Sequence, residues 1–177
     1  DIRLTSERRT LIPGKVWPKD SIVIYCGQGY EPWGPDTLGK GMGGSEEAVV
    51  YLSRELERTH SVTVYNERSL RTFERIDKDS PIGTKGAVVY EPWTEINPND
   101  TFDTFVAWRD PTVLKDIKAR VKLCDVHDTI SPTIVYNSAQ WVDKYMFKSQ
   151  WHRSLYPELP DEKCMIVGNG ILETYSE

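Results

Sequence analysis

Apolar residues in this chain fall into short unbroken runs, separated by stretches in which they recur every three or four positions. A short continuous run reads as a strand buried on both faces, and the wider spacing reads as an amphipathic helix. The runs predict strands over Ile22–Cys26, Val62–Tyr65, Ala87–Tyr90, Thr104–Trp108, Val121–Val126, Lys144–Phe147 and Cys164–Val167. The helical spacing predicts helices over Glu46–Arg58, Thr112–Ala119, Pro132–Ala139 and Gln150–Leu155, with Ser131 and Ser149 placed as N-caps of the last two. In the first helix Ala48, Val49, Leu52 and Leu56 share one face, while Arg54, Glu55 and Arg58 fall elsewhere. Thr59-His60-Ser61 then turns the chain into the next strand, with His60 expected at the surface. Strands alternating with helices imply an α/β domain, a Rossmann-like doubly wound parallel sheet. Residues 1–20, charged and carrying Pro13 and Pro18, read as a lead-in arm. Residues 21–171 form the domain, and 172–177 read as a tail or the start of a linker.

Composition narrows the function. A chain of 177 residues holds one domain, or two at most. The net charge is −5 with acids and bases interspersed, so no basic stripe suggests a nucleic-acid partner. The apolar runs are of strand length and no transmembrane segment is expected. No charged-then-apolar leader opens the sequence, which makes a cytoplasmic location the expectation. Cys26, Cys124 and Cys164 lie in or beside apolar runs, too far apart for a paired framework, and read as buried reduced thiols. Asp77-Lys78-Asp79 has the letters of an Asp-x-Asp metal motif but sits in a charged loop, and no metal or other cofactor is expected.

The chemistry concentrates in Gly39-Lys40-Gly41-Met42-Gly43-Gly44-Ser45-Glu46-Glu47-Ala48. Glycines ahead of a helix let the backbone approach a ligand, and the free N–H groups of the first turn favour an anion such as phosphate. In an open α/β sheet this loop lies with the other carboxyl-end segments, where ligands bind. Gly39, Gly41 and Gly44 satisfy the dinucleotide fingerprint by letter, and Glu67 sits near the place of the ribose-binding acid. That fingerprint begins almost at the strand end. Here Gly27 to Leu38 intervenes, a long loop with two aromatics and two prolines, which argues against a dinucleotide.

Long loop, glycines and Ser-Glu-Glu helix start together resemble the N-terminal domain of GT-B glycosyltransferases, in particular the retaining enzymes of glycosyltransferase family 4. Gly43-Gly44-Ser45-Glu46-Glu47-Ala48 matches the family's Gly-Gly-x-Glu segment, and Arg58 to Tyr65 is similar to its helix-to-second-strand junction. Cys124-Asp125-Val126-His127-Asp128 resembles its strand ending in His-Asp. Asp143 to His152 resembles its strand-Ser-helix segment, and Lys163 to Ile171 the strand and Asn-Gly-Ile before its interdomain linker. The resemblance implies an acceptor-side domain that works with a nucleotide-sugar donor and a carbohydrate or other hydroxyl acceptor, with retention of configuration. It places Gly43, Gly44 and Ser45 at the donor phosphates and His127, with Asp128, near the reacting centre. Tyr30, Trp33, Arg109 and Glu46 become candidate acceptor contacts, with Trp93 another loop aromatic. Arg109 reads equally as a phosphate ligand or as half of a surface Arg–Asp pair, and His152 reads as structural or surface. In such enzymes a second domain carries most of the nucleotide pocket. This chain stops six residues after Ile171, where that domain would begin, and Glu173 and Glu177 are no substitute for its paired glutamates. The domain alone is therefore expected to be catalytically silent. An NAD(P)-dependent oxidoreductase, a nucleotide-sugar epimerase and a non-catalytic GT-B-like binding domain are the alternatives.

Overall fold

The computed structural model describes residues 12–77, 79 and 85–170. Residues 1–11 of the lead-in arm, Lys78 of the Asp-x-Asp letters, and residues 171–177 with Glu173 and Glu177 lie outside the described residues. One eight-stranded sheet runs through the domain in the order β3-β4-β2-β1-β5-β6-β7-β8. Its strands are β1 (Ser21–Tyr25), β2 (Ser61–Asn66), β3 (Thr72–Arg75), β4 (Ala87–Pro92), β5 (Thr101–Trp108), β6 (Lys118–Val126), β7 (Lys144–Phe147) and β8 (Cys164–Ile166). All neighbours pair in parallel except β3, which is antiparallel to β4. The expected Rossmann-like, doubly wound α/β class is the fold observed.

Side chains alternate between two cores, one on each face of the sheet. Ile22, Ile24, Val62, Val64, Val88, Tyr90 and Trp108 meet Val49 and Val50 of helix α1 (Gly44–Glu57). Val23, Tyr25, Phe105, Ala107, Val126, Tyr145 and Phe147 point the other way. They pack with Leu114, Ile117, Val135 of helix α2 (Pro132–Ser138), and Tyr156 beyond helix α3 (Gln150–Ser154). Burial on both faces explains why the central strands read as unbroken apolar runs.

Three expectations need correction. The helix predicted over Thr112–Ala119 is only a 3₁₀ turn, Pro111–Lys115, and Lys118 and Ala119 already belong to β6. Pro111 opens the turn, the Asp110 carboxylate accepts the Thr112 N–H, and the turn closes at Asp116, whose N–H donates to the Val113 carbonyl. Strand β3 was not legible: its residues alternate partly buried and exposed, and Glu74 and Arg75 break any apolar run. It is an edge strand whose charges discourage further pairing, and Arg54 of α1 holds it through a 2.6 Å ion pair with Glu74. Helix α1 is also rotated from the predicted face. Val49, Val50, Ser53 and Glu57 are buried, whereas Leu52 is 41% exposed. The hydroxyl of Ser53, fully buried, donates to the Val49 carbonyl at 2.7 Å, so a small residue satisfies its own polarity while the helix sits close to the sheet.

The described part of the lead-in arm runs beside the amino end of β5. Trp17 N–H donates to the Thr101 carbonyl, and Thr101 N–H to that of Lys15, each at 2.8 Å. The Trp17 ring packs on Phe102 and its indole N–H donates to Asp100. Ser149 caps α3 as expected, accepting the His152 N–H, whereas the Ser131 side chain makes no cap bond to α2. Of the three thiols, Cys124 is buried and Cys26 and Cys164 are partly exposed. Among the described residues no helix is long and apolar enough to cross a membrane.

Candidate functional site

The carboxyl ends of β1, β5, β6 and β7 and the start of α1 meet at one edge of the sheet, and Arg109 ties them together. The chain leaves β5 at Arg109 with φ 71°, a left-handed conformation that a long side chain adopts only when its surroundings impose it. Its backbone N–H donates to the Asp125 carbonyl at 2.9 Å, and the same carbonyl accepts the His127 N–H at 2.9 Å. The second of these bonds spans two residues and closes a γ-turn at the end of β6. One carbonyl therefore sets where both Arg109 and His127 emerge.

The Arg109 side chain then reaches across to α1. Its Nη2 donates to Ser45 Oγ at 2.6 Å, Nη1 lies 3.5 Å from Glu46 Oε1, and Nε lies 2.5 Å from Asp128 Oδ2. The guanidinium stacks 3.8 Å above the Trp108 ring. Ser45 Oγ in turn donates to Glu46 Oε2 at 2.8 Å, and that carboxylate folds back against Gly43 over the first turn of α1. Arg109 is thus paired with Glu46 and Asp128, the second being the expected Arg–Asp pair, while adjacent Asp110 caps the following turn.

The glycine loop is open. Gly39 and Gly41 take φ 73° and 92°, and a Cβ at Gly39, Gly41 or Gly44 would meet no atom within 4 Å. Gly43 is the N-cap of α1 and offers no side chain to the first turn, so the N–H groups of Gly44, Ser45 and Glu46 form a positive helix end facing Arg109.

Under this edge a buried carboxylate forms an ion pair with a half-buried lysine. Asp125 is 5% exposed, and Lys148 Nζ, from the residue after β7, sits 2.8 Å and 3.0 Å from its two carboxylate oxygens. His127 is half-buried, its ring 5.8 Å from that of Trp108. Burial is the main cause pushing its imidazole below the ordinary histidine range, with Asp125 opposing that shift and Lys148 reinforcing it. The Trp108 indole N–H is buried with no partner among the described residues.

Gly43, Gly44, Ser45, Glu46, Arg109, His127 and Asp128 are therefore neighbours, although they come from three separate segments. The aromatic candidates are not part of this group. Tyr30 stands fully exposed on the long loop. Trp33, expected to present a ring face, is instead 6% exposed. It fills the space between loop and sheet against Trp108, with its N–H on the Glu67 carbonyl and its own carbonyl on Asn66. Glu67 does not reach toward the glycines: its carboxylate accepts Gly29 N–H and Trp93 Nε1 and fastens the loop. Asp125 and Lys148 are functional candidates that sequence reasoning passed over. The signal was a lone carboxylate inside the apolar run Leu123 to Val126, because a buried charge requires a partner.

Elsewhere, a cavity of about 380 Å³ lined by Pro13, Lys15, Tyr65, Arg71, Glu91 and Asp100, among others, shares no residue with this edge. Among its lining charges Arg71 pairs with Glu91 at 3.1 Å, and Asp100 accepts the Lys15 backbone N–H and the Trp17 indole N–H. Among the described residues no group of histidine, cysteine and carboxylate side chains is arranged to hold a metal ion.

His152 fills the structural role expected of it, 5% exposed against Phe147 and Tyr156, with Lys148 N–H donating to Nδ1. Burial lowers its affinity for a proton, as it does for His127. The unfolded chain, with ordinary histidines titrating near about 6.5, takes up protons that the fold resists. The contribution is complete above that pH and is lost as pH falls below it. Urea midpoints should therefore decline from pH 7.5 to pH 5, and His152→Gln should show a shallower decline. An equal slope in both proteins would exclude His152 as a source.

Comparison with protein-family models gave no match, and neither did comparison with curated proteins or with solved structures.

Proposed function

We propose that this chain is the acceptor-side domain of a retaining glycosyltransferase that moves a sugar from a nucleotide-sugar donor to a hydroxyl acceptor, with the donor gripped mainly by a second domain. The observation that carries the reading is the convergence of Arg109, the start of α1 and His127–Asp128 on one sheet edge. Loss of a nucleoside diphosphate builds negative charge on phosphate oxygens. A helix N-terminus and a guanidinium are the groups that stabilise such charge. In the state described, the carboxylates of Glu46 and Asp128 hold the guanidinium, and a diphosphate would take over those contacts. His127, uncharged at neutral pH, is suited to hydrogen-bond a sugar hydroxyl beside the reacting carbon, with positioning and electrostatics rather than a covalent nucleophile lowering the barrier. An NAD(P)-binding domain is the weaker reading, since Glu67 is engaged with Gly29 and Trp93.

Calorimetric titration with NAD, NADP, UDP-glucose and GDP-mannose tests the choice. Weak or absent binding of all four is expected of an acceptor-side half. For the sugar nucleotides, millimolar amide-resonance shifts should be confined to Gly43–Ser45, Arg109 and His127. Tight binding of either dinucleotide would overturn the proposal.

A further inference from the structure

We infer that the ion pair between buried Asp125 and half-buried Lys148 is a clamp that fixes Arg109 and His127 at the ligand-facing edge, which makes Lys148 a positioning residue of that site. Asp125 does two jobs at once. Its carbonyl takes the N–H of Arg109 from the end of β5 and the N–H of His127 from the end of β6. The Lys148 ammonium, from the end of β7, donates to one oxygen of the Asp125 carboxylate and lies within ion-pair distance of the other. A peptide that must keep one carbonyl aimed at two donors gains from a side chain that cannot rotate, and a carboxylate 5% exposed has no solvent to turn toward. Lys148 is itself fixed by its backbone, whose N–H donates to the ring of His152. Three strand ends are thereby cross-linked at the point where the chain must hold Arg109 in a left-handed conformation.

The pair also governs the electrostatics of the edge. The charged groups facing His127 are Asp125 and Asp128 from its own segment, Arg109 from β5 and Lys148 from β7. Glu46 of α1 reaches the cluster through Arg109, Cys26 lies near Arg109 and Asp125 after β1, and His152 of α3 lies near Lys148 and both aspartates. With Lys148 in place the Asp125 charge is matched, and the imidazole faces no net surplus of carboxylate from below. Without it, Asp125 becomes an uncompensated buried anion beside the ring, which favours the imidazolium form.

The clamp rests on the glycosyltransferase reading only for the statement that this edge receives a ligand, and its test needs none. The imidazole resonances of this chain would be followed through a pH titration in the native protein and in Lys148→Met, Lys148→Arg and the double variant Asp125→Asn/Lys148→Met. In Lys148→Met the His127 midpoint should rise by about half a pH unit or more. The amide resonances of Arg109 and His127 should move with it. Lys148→Arg should restore the native midpoint. A folded Lys148→Met protein with native His127 titration and native amide shifts would overturn the inference. If Lys148→Met fails to fold, the uncharged double variant decides. It should fold with displaced Arg109 and His127 amides, and native positions for those amides would overturn the clamp. Failure of both variants to fold would overturn it as well, because the pair would then hold the domain rather than the site.

Discussion

Truncating Phe105 to alanine should lower the free energy of unfolding by about 3–5 kcal/mol, a large share of the ~5–15 kcal/mol that holds an ordinary domain together. Phe105 is fully buried in β5, between the β1 and β6 neighbours Val23 and Lys122. Its ring lies 5.0 Å from Phe102 in an edge-on pair and 6.1 Å from Tyr25 in a stacked one. Removing it deletes the ring's own transfer energy and leaves a cavity that strands fixed by parallel ladders cannot close. Val16→Ala, at a position 80% exposed, is the control and should cost almost nothing. Both are read from urea denaturation at neutral pH. A cost below about 1 kcal/mol for Phe105→Ala would mean that the face opposite α1 is not a packed core.

The strand that Phe105 anchors delivers Arg109 to the sheet edge where α1 begins, and this division between core and edge explains what the sequence disclosed. Buried parallel strands announce themselves as apolar runs, so β1, β2, β4 and β7 were legible almost to the residue. Where a strand carries charged, partly exposed side chains at the margin of the sheet the pattern fails. The amino half of β6 pairs with β5 and β3 with β4 through the backbone, their side chains making ion pairs such as Arg120 on Asp103 and Arg54 on Glu74, and neither shows apolar periodicity. The face of α1 was misread because periodicity cannot tell a buried serine from an exposed one: Ser53 meets the sheet and Leu52 meets solvent. At the site, residue types and order marked Gly43, Gly44, Ser45, Arg109 and His127. Their convergence depends on a backbone turn at Arg109 and one shared carbonyl at Asp125, which no side-chain pattern encodes. The aromatic candidates failed at Trp33 for a related reason, since a loop tryptophan looks the same in sequence whether it faces solvent or the sheet.

Arg109 should separate a conformational cost from a binding role within a single position. Replacing it with glycine or with alanine removes the same guanidinium, and with it the contacts to Ser45, Glu46, Asp128 and the Trp108 ring. Only alanine keeps a Cβ in the left-handed conformation at φ 71°. Arg109→Gly should therefore be the more stable of the two by about 1 kcal/mol. If the guanidinium binds a diphosphate, both variants should lose pyrophosphate binding alike, by about a hundredfold or more. The loss would be read from the amide shifts of Gly43, Gly44 and Ser45. Glu46→Gln should move the other way and strengthen that binding, because the carboxylate now lying over the start of α1 competes for the same donors. Native pyrophosphate shifts in both Arg109 variants would leave the residue a purely structural tie between β5 and α1. Equal stability of the glycine and alanine variants would show instead that its backbone relaxes once the side chain is released.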